Sequence, residues 1–222
     1  MVRRYKSASG RHRLVNLIVV TVLVVVILVF RLVEEIGPDK SPGERFVIVR
    51  VIDGDTVDLK GGDRLRLLAI DTPEKDEPFY EQARFFLESL TVGKTARVEY
   101  ESRRRDRYGR LLGYVYIDTL FVNKAILENG LGYLYLFKDN DPHSPQVQQL
   151  LAAQRQALTG KRALWSLSYE PENYYVAARD SYRFHRPGCR SVAAIKPGRE
   201  IRFKNREEAL SEGYSPCRNC KP

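Results

Sequence analysis

From residue 45 the chain runs as short strand-like segments, at 45–52, 55–60 and 64–70, with Asp53-Gly54 and Gly61-Gly62 as turn-forming pairs between them. Asp-Gly and Gly-Gly supply the backbone freedom that tight hairpins need. Strands this short and this closely spaced point to a small barrel. Pro78 opens a helical pattern over 79–90, with Phe79, Ala83, Phe86, Leu87 and Leu90 at helical spacing. Strand patterns follow at 95–102 and 111–117, then a short helix at 121–128 that stops at Asn129-Gly130. A strand-like stretch at 133–137 comes next. Ser144-Pro145 then starts a helix to about 158, with Val147, Leu150, Leu151 and Leu158 on one face.

Five strands punctuated by helices fit a mainly β chain with α-helices (α+β) on a five-stranded OB-type barrel, an architecture that commonly binds oligonucleotides, although strand count alone does not decide the fold. The net charge of +9, from 37 Lys and Arg against 28 Asp and Glu, suits a polyanionic partner, nucleic acid or an anionic membrane surface.

Acidic residues sit where folding does not ask for them. Asp55 follows the Asp53-Gly54 turn, and Asp71-Thr72-Pro73-Glu74 closes the third strand-like segment. Each motif alone has a bland reading, a hairpin turn or a helix N-cap. Carboxylates gathered in one pocket repel each other unless a cation joins them. Oxygen donors without nearby His or Cys favour a hard ion such as calcium or magnesium over zinc. Arg66 and Arg110 add planar forks that match phosphate oxygens.

The segments 51–57 (VIDGDTV), 66–74 (RLLAIDTPE) and 106–110 (DRYGR) resemble those of the staphylococcal nuclease (thermonuclease) family, with similarity from about Glu44 to Trp165. The resemblance implies the OB fold and a calcium site formed by Asp55, Asp71 and the Thr72 carbonyl. It implies catalytic roles for Glu74, which would position or deprotonate the attacking water, and for Arg66 and Arg110, which would clamp the phosphate. Arg107 and Tyr108 match phosphate-contacting positions, and Tyr135 and Phe137 match two tyrosines that flank the base. Phe137 can stack but has no hydroxyl, and this stretch aligns only with a one-residue gap, so Tyr133 can stand for either.

Near the N-terminus, residues 14–30 are apolar apart from Asn16 and Thr21, with basic residues before them and Glu34 and Glu35 soon after. This reads as a retained transmembrane helix with a cytoplasmic N-terminus and the catalytic domain outside the cytoplasm. A cleaved signal peptide or a buried helix is the competing reading.

All three cysteines, Cys189, Cys217 and Cys220, lie in the last 34 residues, which argues against a disulfide framework. With His185 they form H-x3-C, 27 intervening residues, then C-x2-C. One imidazole and three thiolates make a closed, structural zinc site. A Cys217–Cys220 disulfide is the oxidised alternative. The tail of about 49 residues is too short for a core of its own without such a staple. It resembles the zinc-binding domain of Ada-type DNA repair proteins. His185 stands where that family has its methyl-accepting cysteine, which argues against methyl transfer. Arg183, Arg186, Arg190, Lys204 and Lys221 are candidates for added DNA affinity.

The expected organisation is therefore a basic tip and anchor at 1–35, a linker at 36–43, the barrel at 44–168 and the zinc domain at 174–222. The expected function is calcium-dependent hydrolysis of DNA, with RNA a further candidate, to 3′-phosphate products. The alternative is a non-catalytic nucleic-acid-binding module. The expected partners are nucleic acid and the membrane, with no protein partner.

Overall fold

The computed structural model describes residues 20–25 and 43–222. The chain divides into two units, Met1–Lys40 and Ser41–Pro222. In the first, residues 20–25 are helical. The expected membrane anchor, and the extracytoplasmic placement that rested on it, are corrected: among the described residues no helix is long and apolar enough to cross a membrane. A crossing helix needs about 20 residues. The rest of the 14–30 segment, and the expected linker up to residue 42, lie outside the described residues.

The second unit begins with β1 (Glu44–Asp53), β2 (Thr56–Leu59), β3 (Arg64–Leu67) and the two-residue β4 (Ile70–Asp71). Helix α1 (Tyr80–Thr91) follows, then β5 (Thr95–Glu99), β6 (Leu111–Ile117) and β7 (Leu120–Phe121). The strands run β3-β2-β1-β5-β6-β7, and a further parallel pairing of β3 with β6 closes five of them into a barrel. Strand β1 serves two neighbours. Its first residues pair with β5 (Glu44 opposite Val98) and its later ones with β2 (Val51 opposite Val57). Register shifts between Ile48 and Arg50 and between Val51 and Asp53 supply the bend that closure requires.

The barrel interior is apolar: Ile48, Val57, Leu65, Val98, Leu111 and Val115 are fully buried. Helix α1 packs Ala83 and Leu87 into this core. It starts one residue later than expected, because Phe79 takes a left-handed conformation (φ 68°) and turns the chain into the helix.

Helix α2 (Val122–Glu128), β8 (Tyr133–Leu134) and α3 (Pro145–Thr159) complete the barrel region. Ser144 caps α3 by accepting from the Val147 N–H at 3.3 Å. The strand expected over 133–137 shortens to two residues because the Phe137 N–H turns to Asn140 Oδ1, 2.8 Å away. Strand β8 pairs antiparallel with β4, which places Asp71 opposite Tyr133.

The tail holds β9 (Tyr175–Ala178), β10 (Arg183–His185), β11 (Glu200–Phe203), α4 (Arg206–Ser211) and β12 (Ser215–Pro216), with the strands in the order β11-β9-β10-β12. Its apolar cluster is not self-contained. Tyr175, Phe184, Phe203 and Leu210 pack with Ala157 of α3 and with Trp165. A segment this small thus shares the core of its neighbour.

Candidate active site

The β1–β2 hairpin, the end of β3 and the β4 segment meet because the backbone at Gly54 lies against Thr72. A Cβ added to Gly54 would fall 2.6 Å from Thr72 Oγ1 and 2.7 Å from the Ala83 Cβ, so only glycine fits. The contact carries Asp55 into the interior. Its Oδ2 accepts from the Thr72 N–H at 3.0 Å and from Thr72 Oγ1 at 3.2 Å, and its Oδ1 accepts from Thr56 Oγ1 at 3.0 Å.

Arg66 joins the two buried aspartates. Its Nη1 pairs with Asp55 Oδ1, while its Nη2 donates to Asp71 Oδ1 at 2.8 Å and to the Ile70 carbonyl at 3.2 Å. Burial alone would raise the Asp55 pKa, but the Arg66 charge and the Thr72 N–H outweigh it and hold this carboxyl below its usual range. Asp71 goes the other way. Burial and the neighbouring Asp55 charge push it up despite Arg66 and Arg218. Asp53, at the same turn, is pushed up to about 6 by burial and by Asp55. Asp55 and Asp71, with Asp53 close by, thus crowd three carboxylates around Arg66.

A cleft of about 510 Å³ opens over Asp55 and Arg66, lined also by Thr72, Glu74, Arg107, Tyr108, Arg110, Tyr135 and Phe137, while Asp71 lines a neighbouring cleft with Glu74 and Arg218. The β3–β6 closure sets Arg66 opposite Leu112, two residues past Arg110, so the two arginines come to one barrel wall. Asp106 anchors Arg110: its Oδ2 accepts from Arg110 Nε at 2.7 Å and its Oδ1 from the Arg110 N–H at 3.0 Å. Tyr108 is exposed, with the Arg107 guanidinium 4.8 Å and that of Arg110 5.4 Å from its ring centre. Glu74 is exposed at the rim. Tyr135 and Phe137 meet edge to face at 5.2 Å, and Arg183 lies 3.3 Å over the Tyr135 ring. Tyr133 instead packs edge-on against Trp165, in the core shared with the tail.

Three contributors were missed from sequence. Asp53 and Asp106 each looked like an ordinary turn residue. Arg218 comes from the tail, as does Arg183, which was expected only to add DNA affinity. Arg218 donates to Asp71 Oδ1 through Nη2 at 2.6 Å, and its Nη1 lies 3.0 Å from Glu74 Oε1. No local signal could have found these, since 147 residues separate Arg218 from Asp71.

The tail brings its own cluster together. Ligand atoms of His185, Cys189, Cys217 and Cys220 all lie within 4.8 Å of one another, and all three cysteines are free, which leaves no Cys217–Cys220 disulfide. His185 Nδ1 is buried with no hydrogen-bond partner, and burial together with Arg183 lowers the imidazole pKa, keeping it neutral. Cys220 is pushed up to about 12, chiefly by burial, with the neighbouring thiols adding to the shift. An orphaned imidazole nitrogen beside three crowded sulfurs is what a cation favouring soft ligands would relieve. Of the tail cations proposed to bind nucleic acid, Arg186 pairs with Glu172 and Lys221 with Glu77 at 2.8 Å each.

A closed five-stranded barrel with carboxylates and guanidinium groups converging on one cleft belongs to the OB-type architectures that act on polyanions. The family described as staphylococcal nuclease homologue matches residues 64–167. The chain is 30% identical to a thermonuclease of Staphylococcus hyicus, over 67% of this chain and 95% of that protein. It is 39% identical to an uncharacterized endonuclease of Escherichia coli O157:H7, over 54% of this chain and 75% of that protein. A prophage-derived endonuclease of Bacillus subtilis, YokF, is 32% identical over 59% of this chain and 45% of its own length. The chain belongs to the staphylococcal nuclease family, and it is an enzyme of the nuclease class.

Proposed function

We propose that this protein is a calcium-dependent nuclease that hydrolyses DNA, with RNA as a second substrate, leaving 3′-phosphate ends. The observation that carries the reading is the Arg66 bridge between Asp55 and Asp71, beside a cleft lined by Asp55, Arg66, Arg110 and Glu74. Asp55, Asp71 and the Thr72 carbonyl would hold the calcium. The donor set is all oxygen, and Asp55 and Asp71 share one guanidinium, so these residues fit a hard divalent ion. Bound there, the ion would lend positive charge to the scissile phosphate.

The chain's own side chains do the rest. Arg66 and Arg110 donate to non-bridging phosphate oxygens, where charge accumulates as the phosphorus becomes five-coordinate. Asp106 keeps the Arg110 fork aimed by holding its Nε. Glu74, at the open rim, accepts the proton of the attacking water as the P–O5′ bond breaks, and the leaving 5′-oxygen takes up a proton from solvent. Arg107 and Tyr108 steady the flanking backbone, and Tyr135 and Phe137 present rings to a base.

The tail from 174 to 222 reads as a structural zinc module similar to the Ada-type domain, appended to a barrel domain spanning 44–168. The four clustered ligands and the orphaned His185 Nδ1 support it.

Cleavage of plasmid and single-stranded substrates by the full chain, with calcium and with chelator, tests the reading. Cleavage should need calcium, and Glu74→Gln should lower kcat by about 10²-fold or more. End-labelling should find 3′-phosphates. Cleavage that survives both chelation and Glu74→Gln would overturn it.

A further inference from the structure

Arg218 sits between Cys217 and Cys220, on the loop that carries two of the four clustered ligands. Its side chain is half exposed, yet it reaches across to the barrel with every nitrogen used. Nη2 lies 2.6 Å from Asp71 Oδ1, Nε lies 3.3 Å from Asp71 Oδ2, and Nη1 lies 3.0 Å from Glu74 Oε1. Asp71 Oδ1 already accepts from Arg66 at 2.8 Å. Both oxygens of this carboxylate therefore face guanidinium groups, and one of those groups comes from the tail.

Docking of the tail does not need this contact. Gln154 spans the two parts from the inside, and Ala157 and Trp165 share the tail's apolar cluster. Lys221 adds a separate tie to Glu77 at 2.8 Å. What Arg218 changes is the charge at Asp71. A guanidinium and a divalent cation a few ångströms apart repel, and they would draw on the same oxygens. Two of the clustered cysteines, Cys217 and Cys220, flank Arg218, so the tail sets where this side chain begins. Its half-exposed side chain still has room to swing into the cleft that it also lines.

We propose that Arg218 is a positioning residue of the nuclease site that competes with the divalent cation for Asp71, so that the cysteine-bearing tail sets the barrel's cation affinity. The proposal rests on the reading of Asp55 and Asp71 as cation ligands.

Calorimetric titration of calcium alone, without nucleic acid, into the zinc-loaded full chain tests it. Arg218→Gln should bind calcium about fivefold more tightly than the unaltered protein, the scale of one half-exposed ion pair. Arg218→Lys keeps the charge and should stay near the parent value. A residue that merely fastened the tail would give no such gain. Equal or weaker binding by Arg218→Gln overturns the competition. Asp71→Asn separates this failure from that of the underlying reading. If it abolishes calcium binding, the ligand assignment stands whatever Arg218 does. If it binds like the parent, the assignment itself fails and takes the competition with it.

Discussion

Gln154, fully buried on α3, donates from Nε2 to the Leu210 carbonyl at 2.7 Å, while its Oε1 accepts from the Leu134 N–H at 2.7 Å. One side-chain amide thus satisfies a barrel strand and a tail helix at once. Replacing it with leucine strands the buried Leu134 N–H, while the Leu210 carbonyl keeps its bond from the Gly213 N–H at 3.1 Å. An unsatisfied buried group costs about 1–3 kcal/mol. Urea denaturation of Gln154→Leu should show a loss of about 1–3 kcal/mol. A loss within about 0.5 kcal/mol would show that water or a shifted tail replaces the bridge.

Gly54→Ala tests the contact that seats Asp55. The added methyl would lie 2.6 Å from Thr72 Oγ1 and 2.7 Å from the Ala83 Cβ, inside any tolerable separation. Overpacking of this kind costs about 1–3 kcal/mol. Because Thr72 also bonds Asp55, activity should fall together with the melting temperature. A variant that loses stability but keeps full kcat would separate the hairpin from the site.

The Asp106–Arg110 pair gives a pH signature. Burial works to raise the Asp106 pKa, but hydrogen bonds from the Arg110 side chain and the Arg110 and Tyr108 N–H groups hold it below its usual value. A carboxylate depressed in the folded state adds stability above its unfolded pKa of about 3.9 and loses it as pH falls through the lower folded value. Asp106→Asn should therefore be less stable than the parent at neutral pH, and the difference should shrink as the solution is acidified below about pH 4. Its kcat should fall as well, since Arg110 loses its 2.7 Å anchor. Parallel acid-denaturation curves would show that the pair contributes nothing.

Stripping metal from the His185, Cys189, Cys217 and Cys220 cluster should be visible through the lone tryptophan. Trp165 is 7% exposed in the apolar cluster shared with Phe184 and Phe203. A strong chelator should shift its emission to longer wavelength as the tail loosens, and Cys189→Ser should lower bound zinc from about one ion per chain. Unchanged emission after verified zinc loss would mean that the shared apolar core holds the tail alone.

Sequence alone determined the local parts of this protein. The barrel strands, their turns and the capped helix at Ser144 follow from short strand-like runs, Asp-Gly and Gly-Gly pairs and a Ser-Pro start, because these signals act over a few residues. Asp55 and Asp71 stood out beside turns and strand ends, whereas roles for Arg66 and Arg110 came from the motifs that resemble the nuclease family. The cysteine spacing likewise announced a cluster. Tertiary structure decided the rest. It placed Arg183 over Tyr135 and Arg218 on Asp71, turned Tyr133 toward Trp165, and completed the tail's core with residues from α3. Those outcomes depend on how two apolar surfaces far apart in the chain fit together, and no short window of residues encodes that fit.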